Sequence, residues 1–116
     1  MNIDLYITFL HNYLNNNKFI VDYIDEIIPN SITHLQFGDY FNQVLKEGDI
    51  PNSVTHLTFG HGFNQVLKEG DIPNSVTHLT IGWHFNQELT KEIIQNSVSC
   101  LTFGLCFNQV LKEGIY

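Results

Sequence analysis

From residue 29 onward the apolar and polar positions repeat with a period of 22 residues, and the chain can be written in rows of that length without a gap through Tyr116. The rows are 29–50, 51–72, 73–94 and 95–116. One column holds Leu35, Leu57, Leu79 and Leu101, another Ser31, Ser53, Ser75 and Ser97, and a third Gly38, Gly60, Gly82 and Gly104. The pair Phe-Asn recurs at Phe41-Asn42, Phe63-Asn64, Phe85-Asn86 and Phe107-Asn108, followed each time by glutamine. A fixed period of this length is the signature of stacked units, in which each turn buries its apolar side chains only against its neighbours.

Within one row, Val54-Thr55-His56-Leu57-Thr58-Phe59 alternates and is rich in β-branched and aromatic residues, which predicts a short strand. Gly60 follows and permits a bend, and Lys68-Glu69-Gly70-Asp71 predicts a second bend before Ile72-Pro73 opens the next row. The arm between the bends, Gln65 to Leu67, is too short for a full helix, so the back of each unit is expected to be irregular or briefly helical. The spacing of Val54, Leu57, Phe59 and Phe63-Asn64 overlays the leucine-rich repeat pattern with one extra residue before the asparagine. The expectation is a parallel β-solenoid, leucine-rich-repeat-like, of four 22-residue turns.

The run Phe63-Asn64-Gln65-Val66-Leu67-Lys68-Glu69-Gly70-Asp71-Ile72-Pro73, continuing into Asn74-Ser75-Val76-Thr77-His78-Leu79-Thr80, resembles the FNIP repeat family over residues 29–116. The resemblance implies a relative of leucine-rich repeats, common in social amoebae and in giant viruses that infect amoebae, with no assigned catalytic activity. Members often carry an F-box-like amino-terminal segment. This chain departs from the family pattern at Val44, Val66 and Val110, at Glu88 in the third unit, and at Gln95 where a row-opening proline would stand.

Ahead of the rows, Leu5, Phe9, Leu10, Tyr13 and Leu14 recur at helical spacing, and Phe19, Ile20, Tyr23, Ile24, Ile27 and Ile28 do so again after Asn15-Asn16-Asn17-Lys18. Residues 1–28 are therefore expected to form a short, mainly helical cap over the first turn, with a helix and a strand as the alternative. On the resemblance, the same segment is a candidate remnant of an F-box, which would make the chain a substrate adaptor for a host ubiquitin ligase. At the other end nothing in Ile115-Tyr116 predicts a cap, so self-association through an uncapped strand edge is expected.

Charge narrows the partners. Twelve acidic residues against five lysines give a net charge of −7, which repels nucleic acid and anionic lipid alike. The amino terminus lacks a secretion signal, and no apolar run reaches membrane-span length. Cys100 and Cys106 stand at no metal-ligand spacing and suit a reducing compartment, so a cytoplasmic location is expected, that of the host if the chain is viral.

Candidate chemistry sits in columns. Phe41, Phe63, Phe85 and Phe107 predict a stacked aromatic spine, and Asn42, Asn64, Asn86 and Asn108 an amide ladder that satisfies backbone groups at the bend. His34, His56 and His78, continued by Cys100, form an outward row. Such a row is a candidate partner-binding face, with metal binding the remoter alternative because a straight row does not converge on one ion. Threonine columns suggest ice binding, but histidine interrupts the outward set. Tyr40, His61, Trp83 and His84 follow the glycines in the columns that vary most between units, and are candidates for partner contact. No nucleophile elbow, phosphate loop or metal-helix motif occurs, and neither catalytic residues nor a cofactor are expected.

Overall fold

A computed structural model of the chain describes residues 18–24 and 28–109. Five strands form one parallel sheet in sequence order: β1 (Lys18–Val21), β2 (His34–Phe37), β3 (His56–Thr58), β4 (His78–Thr80) and β5 (Cys100–Thr102). From β2 onward the register advances by 22 residues per turn, so that Leu35, Leu57, Leu79 and Leu101 lie opposite one another. The strands are only three or four residues long, and from β2 onward the glycine that follows each one, Gly38, Gly60, Gly82 or Gly104, turns the chain out of the sheet.

Alternation decides what enters the core. In β2, Leu35 and Phe37 are sealed while His34 stays outside, and the pattern repeats with Leu57 and Phe59 and with Leu79 and Ile81. Val54, Val76, Leu45, Leu67 and Leu89 close the interior from the other sides. Two aromatic columns run through it: Phe41, Phe63, Phe85 and Phe107 stack at 6.0, 5.9 and 6.3 Å between ring centroids, and Phe37 lies 5.3 Å from Phe59. The columns interlock, with Phe37 on Phe41 at 4.3 Å, Phe59 on Phe63 at 4.2 Å and Phe103 on Phe107 at 4.4 Å. Ile81 interrupts the second column in the third unit and fills its place with aliphatic volume.

The corners are hydrogen-bonded turns. Pro51 and Pro73 accept from Val54 and Val76 at 3.2 Å, and Gln95 accepts from Val98 at 3.0 Å, so the turn survives loss of proline because it uses the carbonyl rather than the ring. Gly48 and Gly70 take φ values of 93° and 90°, which side-chain-bearing residues resist. Beside them, Asp49 and Asp71 accept from the Lys46 and Lys68 amides at 2.9 and 2.8 Å. Asp71 is buried and its carboxylate also meets Lys68 Nζ at 3.4 Å. The third unit lacks this side-chain bond, having Ile93 in the aspartate place; it keeps the backbone bond that Asp49 and Asp71 also make, Ile93 donating to the Thr90 carbonyl at 3.0 Å, and adds one from Ile94 at 2.8 Å. Among the described residues the back of each unit is irregular, with no helix.

The mainly helical cap expected for residues 1–28 is corrected at Lys18–Val21, which is a strand paired parallel with β2. Phe19 and Val21 point inward and are fully buried, a period of two that overrides the helical spacing of the surrounding apolar residues. Lys18 lies opposite His34, sixteen residues on, so this first turn is six residues shorter than the others. Leu5 to Leu14 and residues 25–27, on which the rest of the cap and the F-box-like reading fall, lie outside the described residues. Phe19 and Val21 are committed to the core.

Candidate interaction face

Two polar features share the sheet side of the solenoid. The first is the histidine row on the strands. His34 and His56 stack at 4.1 Å and 11° between planes, and His56 and His78 at 4.2 Å and 9°. Each ring is held by the threonine before it: Nδ1 of His34, His56 and His78 lies 2.9 Å from Oγ1 of Thr33, Thr55 and Thr77. The hydroxyls of Thr55 and Thr77 donate to the carbonyls of Thr33 and Thr55 at 3.2 Å, one turn back. A hydroxyl has one proton, so the oxygens of Thr55 and Thr77 then accept from the rings, which assigns the Nδ1–H tautomer to His56 and His78 and leaves their Nε2 as the proton acceptor. Burial lowers the His56 pKa below its ordinary value of 6.5, and the flanking His34 and His78 lower it further, because a charge on the middle ring faces two others.

The rings lie parallel, so their ring nitrogens project side by side instead of toward a common point. Among the described residues no three histidine, cysteine, aspartate or glutamate side chains are grouped to hold a metal ion. Cys100 continues the row opposite His78 and is exposed and free.

The second feature is the series of turn tips after the strands. Phe41, Phe63, Phe85 and Phe107 donate to the carbonyls of Gly38, Gly60, Gly82 and Gly104 at 3.1, 3.4, 3.4 and 3.4 Å, closing a four-residue turn in each unit. Glycine is required because the turns press on each other: a Cβ on Gly82 would run into the Gly60 carbonyl, and one on Gly60 into that of Gly38. The two residues at each tip are Asp39-Tyr40, His61-Gly62, Trp83-His84 and Leu105-Cys106. Their backbones form a ladder of their own, Gly62 donating to Asp39, His84 to His61 and Cys106 to Trp83 at 2.9, 3.0 and 3.1 Å. The scaffold is therefore fixed while the side chains are free to differ.

The structure brings His61 and Trp83 together in an edge contact with ring centroids 6.2 Å apart, and sets His61 beside Asp39. Tyr40 projects almost wholly into solvent at 99% exposure, and His84 is exposed at the outer tip position of its own turn. His34, His56 and His78 form a separate row, divided from the tips by Gln36, Thr58 and Thr80. Asp39 and Leu105 were not singled out from the sequence although they share a column with His61 and Trp83. The signal was there: the two tip columns are the only ones in which all four rows carry different residues.

Below the tips, the amide ladder runs along the outside of the bend. Asn64, Asn86 and Asn108 donate their backbone N–H to Oδ1 of Asn42, Asn64 and Asn86 at 2.8, 2.9 and 2.8 Å. Gln65, Gln87 and Gln109 add their side-chain amides to the same oxygens at 3.1, 3.0 and 3.1 Å.

A sheet of short parallel strands, closed by glycine turns and an asparagine ladder, defines a leucine-rich-repeat-like solenoid. The model of the FNIP repeat matches residues 23–62 and 63–106, which is most of the chain, and the protein belongs to the FNIP repeat family. Among solved structures it is similar to CroV588 of a giant virus, described as a novel circular LRR protein, with 44% identity and a TM-score of 0.76. The similarity covers 85% of this chain and 15% of that one, so the chain spans only a small part of that protein's length. A search of curated proteins returned no match.

Proposed function

We propose that the chain is a non-enzymatic protein-interaction module that binds a partner protein through the histidine row and the turn tips. The observation that carries this is the confinement of four-way variation to the tip columns, whereas every other column keeps one residue in at least two rows. Rows one and two differ at four places, and three of them, Gln36 against Thr58, Asp39 against His61 and Tyr40 against Gly62, fall on or beside this face. Repeat scaffolds use a constant core to present a variable surface in this way. The acidic balance of the chain supports a protein partner over nucleic acid or membrane, and two free exposed cysteines support action in the cytoplasm.

Affinity capture from amoebal lysate, with the purified candidate then titrated directly, tests the main reading. The wild type should retain a partner that a His56→Ala/Trp83→Ala/His84→Ala variant of unchanged circular dichroism loses. Equal binding by both, or no direct binding, would refute it.

A further inference from the structure

A groove of about 380 Å³ runs along the solenoid axis between the strand face and the turn tips. Its wall is the first tip column, and that wall is graded: Asp39, then His61, then Trp83, then Leu105. The order is acidic, polar aromatic, aromatic, aliphatic. We propose that the groove binds an extended peptide segment of a partner, with a lysine or arginine side chain at Asp39 and an apolar side chain against Trp83 and Leu105. The inference rests on the interaction-module reading and gives that face a ligand class.

Three observations carry it. Asp39 retains acceptor capacity: its Oδ1 accepts the His61 backbone N–H at 3.3 Å, but its Oδ2 lies 3.9 Å from Nδ1 of His61, too long for a hydrogen bond, and the side chain is 57% exposed. With a net charge of −7 on the chain, a cationic group is the complementary one. At the far end, Trp83 is 46% and Leu105 77% exposed in successive turns, an apolar surface that an aliphatic side chain would cover.

The floor differs from the neighbouring threonine column. Thr33, Thr55 and Thr77 are engaged with the histidines, whereas Gln36, Thr58 and Thr80 on the groove side make no side-chain hydrogen bond among the described residues. They offer donors and acceptors to a peptide backbone. From Asp39 to Leu105 the groove crosses three turn-to-turn steps, roughly 14 Å at about 4.8 Å each, the reach of about four extended residues.

Trp83 is the only tryptophan in the chain, so its fluorescence reads the groove directly. The probes are capped pentapeptides, Lys-Ser-Gly-Leu-Leu and its reverse order, with glutamate replacing lysine in the controls and cellotetraose as a sugar control. Saturable change is expected with a lysine peptide and about fivefold weaker binding with its glutamate counterpart, the scale of an exposed ion pair. Asp39→Asn should erase that preference, and Leu105→Ser should weaken both peptides about fivefold. These exposed positions leave the core untouched, and unchanged circular dichroism checks that. No saturable change with either lysine peptide, equal binding of lysine and glutamate forms, or a response to the sugar alone would overturn the proposal. If the peptides fail while a partner is still lost in the His56/Trp83/His84 variant, the groove falls and the interaction face stands.

Discussion

Replacing Asn64 by alanine removes one oxygen on which two turns depend. Asn64 Oδ1 accepts from the Asn86 backbone N–H at 2.9 Å and from Gln87 Nε2 at 3.0 Å, and nothing in alanine replaces it. Each such bond contributes about 0.5–1.5 kcal/mol net, which would give about 1–3 kcal/mol for the pair. The ladder lies on the outside of the bend, so water can reach the freed donors, and the lower part of that range, about 1–2 kcal/mol, is expected. For a domain of this size that corresponds to a fall in Tm of about 4–8 °C. Asn64→Asp keeps the accepting oxygen and should retain most of the stability. Asn52→Ala, at an exposed position outside the ladder, should cost less than about 0.5 kcal/mol. Urea unfolding followed by far-ultraviolet circular dichroism measures all three. If Asn64→Ala unfolds at the same midpoint as Asn52→Ala, or Asn64→Asp is as damaging as alanine, the hydrogen bonds do not join the turns in the way described.

Other perturbations separate the core from the surface. Phe63 is fully buried and stacks on Phe41, Phe59 and Phe85, so Phe63→Ala should cost about 3–5 kcal/mol in the same unfolding experiment, and a loss under about 1 kcal/mol would contradict the aromatic columns. Gly82→Ala places a methyl group against backbone that cannot swing aside, and should destabilise by more than about 2 kcal/mol; a neutral result would mean the turns are not pressed together. His56 should titrate below 6.5 and show the Nδ1–H tautomer in imidazole nitrogen NMR. Between its folded pKa and 6.5 the unfolded chain binds more protons at this site, so its contribution is complete above 6.5 and is lost as pH falls through that window. A His56→Gln variant should lack this component of the pH dependence, and an unchanged profile would count against the stacked row.

The solenoid was legible because its signals agree. Leu35, Leu57, Leu79 and Leu101 fix which face of each strand is buried, the glycines mark the bend, and Phe-Asn-Gln marks the column that interlocks across turns. The first strand was legible only as the alternative to a second helix. Phe19, Ile20, Tyr23 and Ile24 satisfy helical spacing, a four-residue strand leaves too short a pattern to compete, and the shortened first turn takes Lys18–Val21 out of the 22-residue alignment. The histidine row was read as outward, but its stacking and its bonds to Thr33, Thr55 and Thr77 depend on ring orientation, which spacing does not specify. Asp39 and Leu105 escaped for a different reason. Alone, each is an ordinary exposed residue, and only the groove wall gives their order a meaning.

Everything rests on turns stacked one above another at a fixed offset, and nuclear Overhauser contacts between backbone protons of neighbouring strands report that offset directly. Contacts should link Leu35 to Leu57, Leu57 to Leu79 and Leu79 to Leu101, with Phe19 joined to Leu35. A spectrum in which these pairs are absent, or are displaced by a single residue so that the leucines face solvent, would contradict the account.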